Sequence, residues 1–186
     1  MKLLLVVLCA LPLLALVFAP GESSASSTRF SIASPAFAPG GAILPKHTCE
    51  GADVSPELAW AGIPEGTKSL ALIVDDPDAP DPAAPKMTWV HWVLYDLPPK
   101  GPGLAEGVSP ADLPKGTLEG KNDWKRTGWG GPCPPIGTHR YFFKLYALDA
   151  VLPDLGKPTK AALEKAMEGH VLAKAEVVGT YRKAGR

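Results

Sequence analysis

At 186 residues, 46% of them apolar and 20% charged, the chain is long enough for one domain with a sizeable core. Its 21 prolines and 19 glycines suit an ordered domain with many loops, short of the ~25–30% content of low-complexity disorder. Nineteen basic residues balance nineteen acidic ones, which argues against a nucleic-acid binder, because such binding rests on neutralising phosphates.

The N-terminus carries Lys2 ahead of an uncharged Leu/Val-rich run over residues 3–19, then Pro20 and Gly21. One positive charge before such a run is the pattern of a secretory signal, and Ser23-Ser24-Ala25 supplies small residues for cleavage. Residues 1–25 therefore read as a signal peptide and the mature protein as exported, with no stable transmembrane span. An uncleaved anchor is the alternative, although Pro12 interrupts a run near the lower limit of ~17 residues for a span. Cleavage removes Cys9 and leaves Cys49 and Cys133 in an oxidising compartment, where two thiols tend to join. A bond across so long a loop would stabilise by about 4 kcal/mol on chain-entropy grounds. Two buried free thiols are the alternative.

Residues 26–33 are Ser-rich and read as a linker into a domain over 34–186. Segments 69–75 (SLALIVD), 88–97 (TWVHWVLYDL) and 139–148 (HRYFFKLYAL) read as strands whose continuous apolarity implies cover on both faces. A last strand is expected over 176–182. Between them, Thr159 follows Pro158 as an N-cap, Leu163, Ala166, Met167 and His170 keep helical spacing, and Gly169 is a natural stop. Long loops occupy 76–87, 98–118 and 120–138, and loops of that length are usually functional. The expected fold is all-β: an antiparallel β-sandwich of two sheets with long Pro/Gly-rich loops and one or two short helices.

Chemistry concentrates in two segments. Asp75-Asp76-Pro77-Asp78-Ala79-Pro80 ends one strand, and Trp89-Val90-His91-Trp92 opens the next. Residues 130–135 (GGPCPP) precede Gly137-Thr138-His139-Arg140-Tyr141 at the mouth of a third. Strand alternation puts Trp89 with His91, and His139 with Tyr141, while Arg140 faces away as a structural ion-pairing residue. Two imidazoles and a phenol could donate to an anion, with Asp76 or Asp78 orienting a histidine. The same His/Asp set leaves open a hydrolase or a metal-dependent enzyme. Against these stand the lack of a tight metal-binding spacing, of a serine nucleophile elbow, and of a free thiol at Cys133 if it is bonded. DPDAP could be a plain turn and His91 a core histidine; His47 and His170 read as ordinary.

Together these segments resemble the signature motifs of the phosphatidylethanolamine-binding protein family, in particular its bacterial Raf kinase inhibitor-like branch. Thr48-Cys49-Glu50-Gly51, Ser55-Pro56, the 130–135 run and Gly179-Thr180-Tyr181 extend the similarity over about residues 34–182. The resemblance implies a two-sheet sandwich with an anion cavity lined by Asp76, Asp78, Pro80, Trp89, His91, Gly131, Pro132, His139 and Tyr141. It further implies a non-catalytic binding or inhibitory protein of the bacterial periplasm or extracellular space, without a cofactor. Its ligand would be a small phosphorylated or anionic group such as a phospholipid headgroup, and its target a kinase or protease. Animal members add a C-terminal helix that supplies an aromatic beside the site. This chain ends at Arg186, so a more open pocket is expected.

Overall fold

The computed structural model describes residues 29–101 and 103–185; the signal-peptide assignment over 1–25, with Cys9, lies outside the described residues. The elements run β1 (Ser31–Ala33), a 3-10 turn (Pro45–His47), β2 (Leu58–Ala61), β3 (Ser69–Ala79), β4 (Met87–Leu97) and β5 (Gly103–Leu104). They continue with β6 (Leu118–Glu119), β7 (His139–Leu148), α1 (Lys160–Met167) and β8 (Val171–Tyr181). Two antiparallel sheets result, one ordered β6-β4-β3-β7-β8 and a smaller one ordered β1-β2-β5.

The central strand shows why these apolar runs are continuous. Leu70, Leu72 and Val74 of β3 point into the layer between the sheets, where they meet Trp92, Leu94, Phe143 and Leu145 and the small sheet's Ile32, Leu58 and Trp60. Ala71 and Ile73 point the other way, into a second core closed by Leu152 and by Leu163 and Met167 of α1. Full burial of such a side chain stabilises by roughly 1.5–3 kcal/mol, so a strand buried on both faces has no use for polar alternation. The helix forms as expected. Thr159 Oγ1 accepts from the Ala162 N–H at 3.3 Å, and Leu163 and Met167, one turn apart, are its buried residues.

Several boundaries differ from the sequence expectation. Residues 31–33 are not linker but strand β1, paired with β2 through Ile32 and Trp60. Strand β3 runs on through Asp76 to Ala79, so the following loop is shorter than 76–87. Pro77 is tolerated there because pairing with β7 ends at Asp75 and the β4 register shifts between Asp76 and Ala79. Strand β8 starts at Val171 rather than 176: α1 ends at Met167 and Gly169 turns the chain at φ +80°, which places His170 outside the helix. Strands β1, β2, β5 and β6 have two to four residues, too few for a periodic signal. No helix among the described residues is long and apolar enough to cross a membrane.

Candidate functional site

Where β3, β4 and β7 converge at one end of the sandwich, a cavity of about 480 Å³ opens to the surface. Asp76 comes from β3, Trp89 and His91 from β4, and His139 and Tyr141 from β7, with Pro80 just past the end of β3. A β-bulge aims the β4 residues. Asp75 pairs with Val90 and Val74 with Trp92, so His91 is the extra residue between them. Alternation keeps Trp89 and His91 on the inter-sheet face, and the bulge brings Trp92 there too, against Trp129. Bulges commonly re-aim a side chain beside a functional site. The His91 ring stands edge-on to Tyr141, with centroids 5.1 Å apart.

The two histidines are bonded differently. His139 Nδ1 lies 2.7 Å from Asp76 Oδ2, and its Nε2 lies 3.0 Å from the Ile136 carbonyl oxygen. A carbonyl only accepts, so Nε2 carries a proton and a second proton lies between Nδ1 and Asp76. The pair is then neutral as a whole, whichever partner holds that proton. Burial pushes the Asp76 carboxyl up, against the hydrogen bonds from His139 and from the Asp78 N–H. His91 Nδ1 donates to the Gly130 carbonyl at 2.6 Å, and its Nε2 is buried without a partner. Burial lowers this ring to about 4, so it is neutral at pH 7. The two imidazoles therefore do not act as a pair of donors into the cavity. One ring is bonded at both nitrogens and the other presents a lone pair. Tyr141 Oη and Trp89 Nε1 are also buried without partners, and burial raises the Tyr141 hydroxyl, which keeps it a donor.

The remaining expected residues stand behind the cavity wall. Asp78 is not in the lining: its carboxylate accepts from the Arg140 N–H, Nε and Nη2 at 2.9, 2.9 and 2.7 Å, which holds it well below the usual carboxylate range. Arg140, which faces away from His139, is thus the structural ion-pair partner expected of it. Gly131 and Pro132 act through the backbone: the Gly131 N–H donates to Asp53 Oδ1 at 2.7 Å, and the Pro132 carbonyl accepts from the Cys49 N–H at 3.1 Å. A Cβ on Gly131 would collide with Asp53 and the His47 carbonyl, and one on Gly130 would press into the Trp124 ring at 2.5 Å. Cys49 and Cys133 are bonded, with Cα atoms 5.4 Å apart, and tie this wall to the turn after Pro45–His47. His47, read as ordinary, is fully buried and bonds the Val54 carbonyl through Nδ1 at 2.9 Å.

Sequence reasoning missed Ala79, Lys86, Met87, Trp124, Cys133, Pro134 and Pro135 in the lining. Ala79 and residues 133–135 lie in the two segments already singled out, and Trp124 gave a signal of its own: a tryptophan amid Asn122, Asp123, Lys125 and Arg126 has no reason to sit in so polar a loop. It is 40% exposed and packs edge-on against both Trp89 and His91. Among the described residues, no group of three or more His, Cys, Asp or Glu could hold a metal ion.

The profile of the phosphatidylethanolamine-binding protein family matches residues 33–182. A UPF0098 protein of Methanothermobacter thermautotrophicus is 49% identical over 149 residues, covering 80% of this chain and 95% of that protein. The crystal structure of a phosphatidylethanolamine-binding protein homologue from Chlamydia trachomatis superposes with a TM-score of 0.76 at 41% identity, covering 83% of this chain and 98% of that one. YbcL of Escherichia coli, described as a member of the mammalian family, gives a TM-score of 0.76 at 32% identity over 84% of this chain and all of its own. The matched span takes in every strand but the start of β1 and every residue that lines the cavity, and the chain belongs to the phosphatidylethanolamine-binding protein family.

Proposed function

We propose that the protein is a non-catalytic, exported binding and inhibitory protein whose cavity takes a small anionic group, a phosphate or a phosphorylated headgroup. One observation carries this reading. Three buried polar atoms without partners, Trp89 Nε1, His91 Nε2 and Tyr141 Oη, belong to side chains that line the same cavity. Each costs about 1–3 kcal/mol if its hydrogen bond is never made, and one bound phosphate can serve all three if its oxygens accept from Trp89 and Tyr141 and a P–OH donates to His91. Two of the atoms are donors, Lys86 adds a positive charge to the lining, and the neutral Asp76–His139 pair spares an anion direct repulsion.

The non-catalytic part rests on the same geometry. His139 has both nitrogens engaged, the Cys133 sulfur is in a disulfide, and the Tyr141 hydroxyl is not bonded to His91. Among the described residues, no nucleophile therefore stands hydrogen-bonded to a base in the cavity. Export rests on the leader sequence, and the inhibitory role on the family together with Met87 and Trp124, exposed around the cavity as a surface for a protein target.

Titration with inorganic phosphate, followed by amide and indole NMR signals, is expected to move Trp89 and Trp124 in a saturable way. Unmoved signals up to high millimolar phosphate overturn the anion reading. Turnover of a phosphomonoester that disappears in His91→Ala overturns the non-catalytic one. N-terminal sequencing of the exported protein is expected to begin at Ser26, and a retained Met1 overturns the cleaved leader.

A further inference from the structure

The two ring nitrogens of His91 have fixed and opposite roles. Nδ1 lies 2.6 Å from the Gly130 carbonyl oxygen, which can only accept, so Nδ1 carries the proton. Nε2 of the neutral ring then holds a lone pair, buried and without a partner, on a side chain that lines the cavity. The neighbours do not change this state. Trp124 and Tyr141 stand edge-on to the ring and Trp129 is tilted against it, all three neutral groups. Burial disfavours protonation and outweighs the rest: the Gly130 carbonyl, Asp75 on β3 and Asp123 in the loop after β6 favour it, and His139 on β7 opposes it. Asp76 is tied up with His139, and Lys86 is the cation of the lining. With the ring titrating at about 4, about one molecule in a thousand carries the second proton at pH 7.

We infer that the cavity selects a ligand that brings its own acidic proton, a phosphomonoester monoanion whose O–H donates to His91 Nε2 while its other oxygens accept from Tyr141 and Trp89. This deepens, and rests on, the anion reading above. A phosphodiester, the form in an intact phospholipid headgroup, has no such proton. Unless the rest of the group supplies a donor, it must force a second proton onto His91 or set its oxygen lone pairs against that of Nε2. His91 is thereby the specificity-determining residue, and it favours a free phosphomonoester over a phosphodiester that carries no donor of its own.

Calorimetry with methyl phosphate and dimethyl phosphate tests this near pH 5.5, where each ligand carries close to one negative charge because the second phosphate ionisation lies at about 6. The monoester is expected to bind about tenfold tighter or better, the scale of one hydrogen bond to a buried acceptor. Its affinity is expected to fall by about tenfold per pH unit well above that ionisation, as its proton is lost. The methyl diester of phosphocholine, a lipid headgroup whose quaternary ammonium has no N–H, is expected to behave like dimethyl phosphate. In His91→Phe the discrimination disappears; in Tyr141→Phe both ligands weaken and the ratio survives. If His91→Phe does not fold, the Tyr141→Phe ratio and the pH slope decide. Equal affinities in the unmodified protein, or a ratio that survives in folded His91→Phe, overturn this inference and leave the anion reading standing. Binding of neither ligand overturns both.

Discussion

Asp75 and Asp76 are consecutive residues of β3, and strand alternation sends them to opposite faces of the large sheet. Asp75 is fully buried on the helix side, where Lys144 Nζ lies 2.6 and 2.8 Å from its two oxygens and Lys160 Nζ lies 2.6 Å from one of them. That cluster is complete in itself and joins β3, β7 and α1. Asp76 is almost as buried; one of its oxygens shares a proton with His139 Nδ1 and the other accepts from the Asp78 N–H. Around it, however, His91, Tyr141 and Trp89 keep unpartnered polar atoms. Burial of a carboxylate is therefore not what marks a binding floor. The mark is a polar neighbourhood that the protein leaves unfinished, since each such group costs free energy unless something else completes it.

The largest expected effect lies in the cavity wall. Replacing Cys49 and Cys133 together by Ala is expected to cost about 4 kcal/mol, the chain-entropy scale for a bond closing a separation of 84 residues. It should also weaken phosphate binding, because residues 133–135 line the cavity. Urea unfolding and calorimetry on one preparation would read both; lost stability with intact affinity would show that the bonds from Cys49 N–H to Pro132 and from Gly131 N–H to Asp53 hold the wall alone.

Asp75→Asn is expected to cost about 2–3 kcal/mol. That is below the loss for a fully buried pair, because the lysines keep about a fifth of their side-chain surface in water. Phosphate affinity should stay within about twofold, since the cluster faces away from the cavity. A large loss of binding would erase the distinction between the two faces.

Asp76 should announce itself through pH. Its folded carboxyl is raised above the ordinary 3.8, so it contributes stability that is present below that value and lost as pH rises through the raised one. The unfolding free energy of the protein minus that of Asp76→Asn is expected to decline across this window, by at most about 1.4 kcal/mol per pH unit. A flat difference from pH 3 to 7 would sink this assignment. The smallest effect, and the opposite sign, belongs to Arg140→Ala. Asp78 is lowered by Arg140, so their bond contributes stability above pH 3.8 that is lost as pH falls below it. The variant should be weaker by about 1 kcal/mol at neutral pH, because the guanidinium is over half exposed, and equal to the parent in strong acid. Phosphate binding should not change.

Much of the frame was legible in the residues. The central strands announce themselves by long apolar runs, and α1 by Thr159, its spaced apolar positions and Gly169. The cavity residues Asp76, Trp89, His91, His139 and Tyr141 could be grouped by alternation and by the family motifs. The small sheet could not be read, because strands of two to four residues owe their conformation to the partner they pair with. Asp78 shows the limit of motif transfer within a site: it shares a strand with Asp76, yet the guanidinium of Arg140 takes both of its oxygens.

The sequence by itself determined which side chains can meet, since the period of a strand and the placing of prolines and glycines are local properties of the chain. What each side chain does there was decided by tertiary structure. Whether a histidine donates or accepts depends on the atom opposite its ring, and in this protein those atoms are the backbone carbonyls of Gly130 and Ile136. Every residue has a carbonyl, so no residue type betrays it. Only the folded chain brings Gly130 to His91 and Ile136 to His139, and with them the protonation state of the cavity floor.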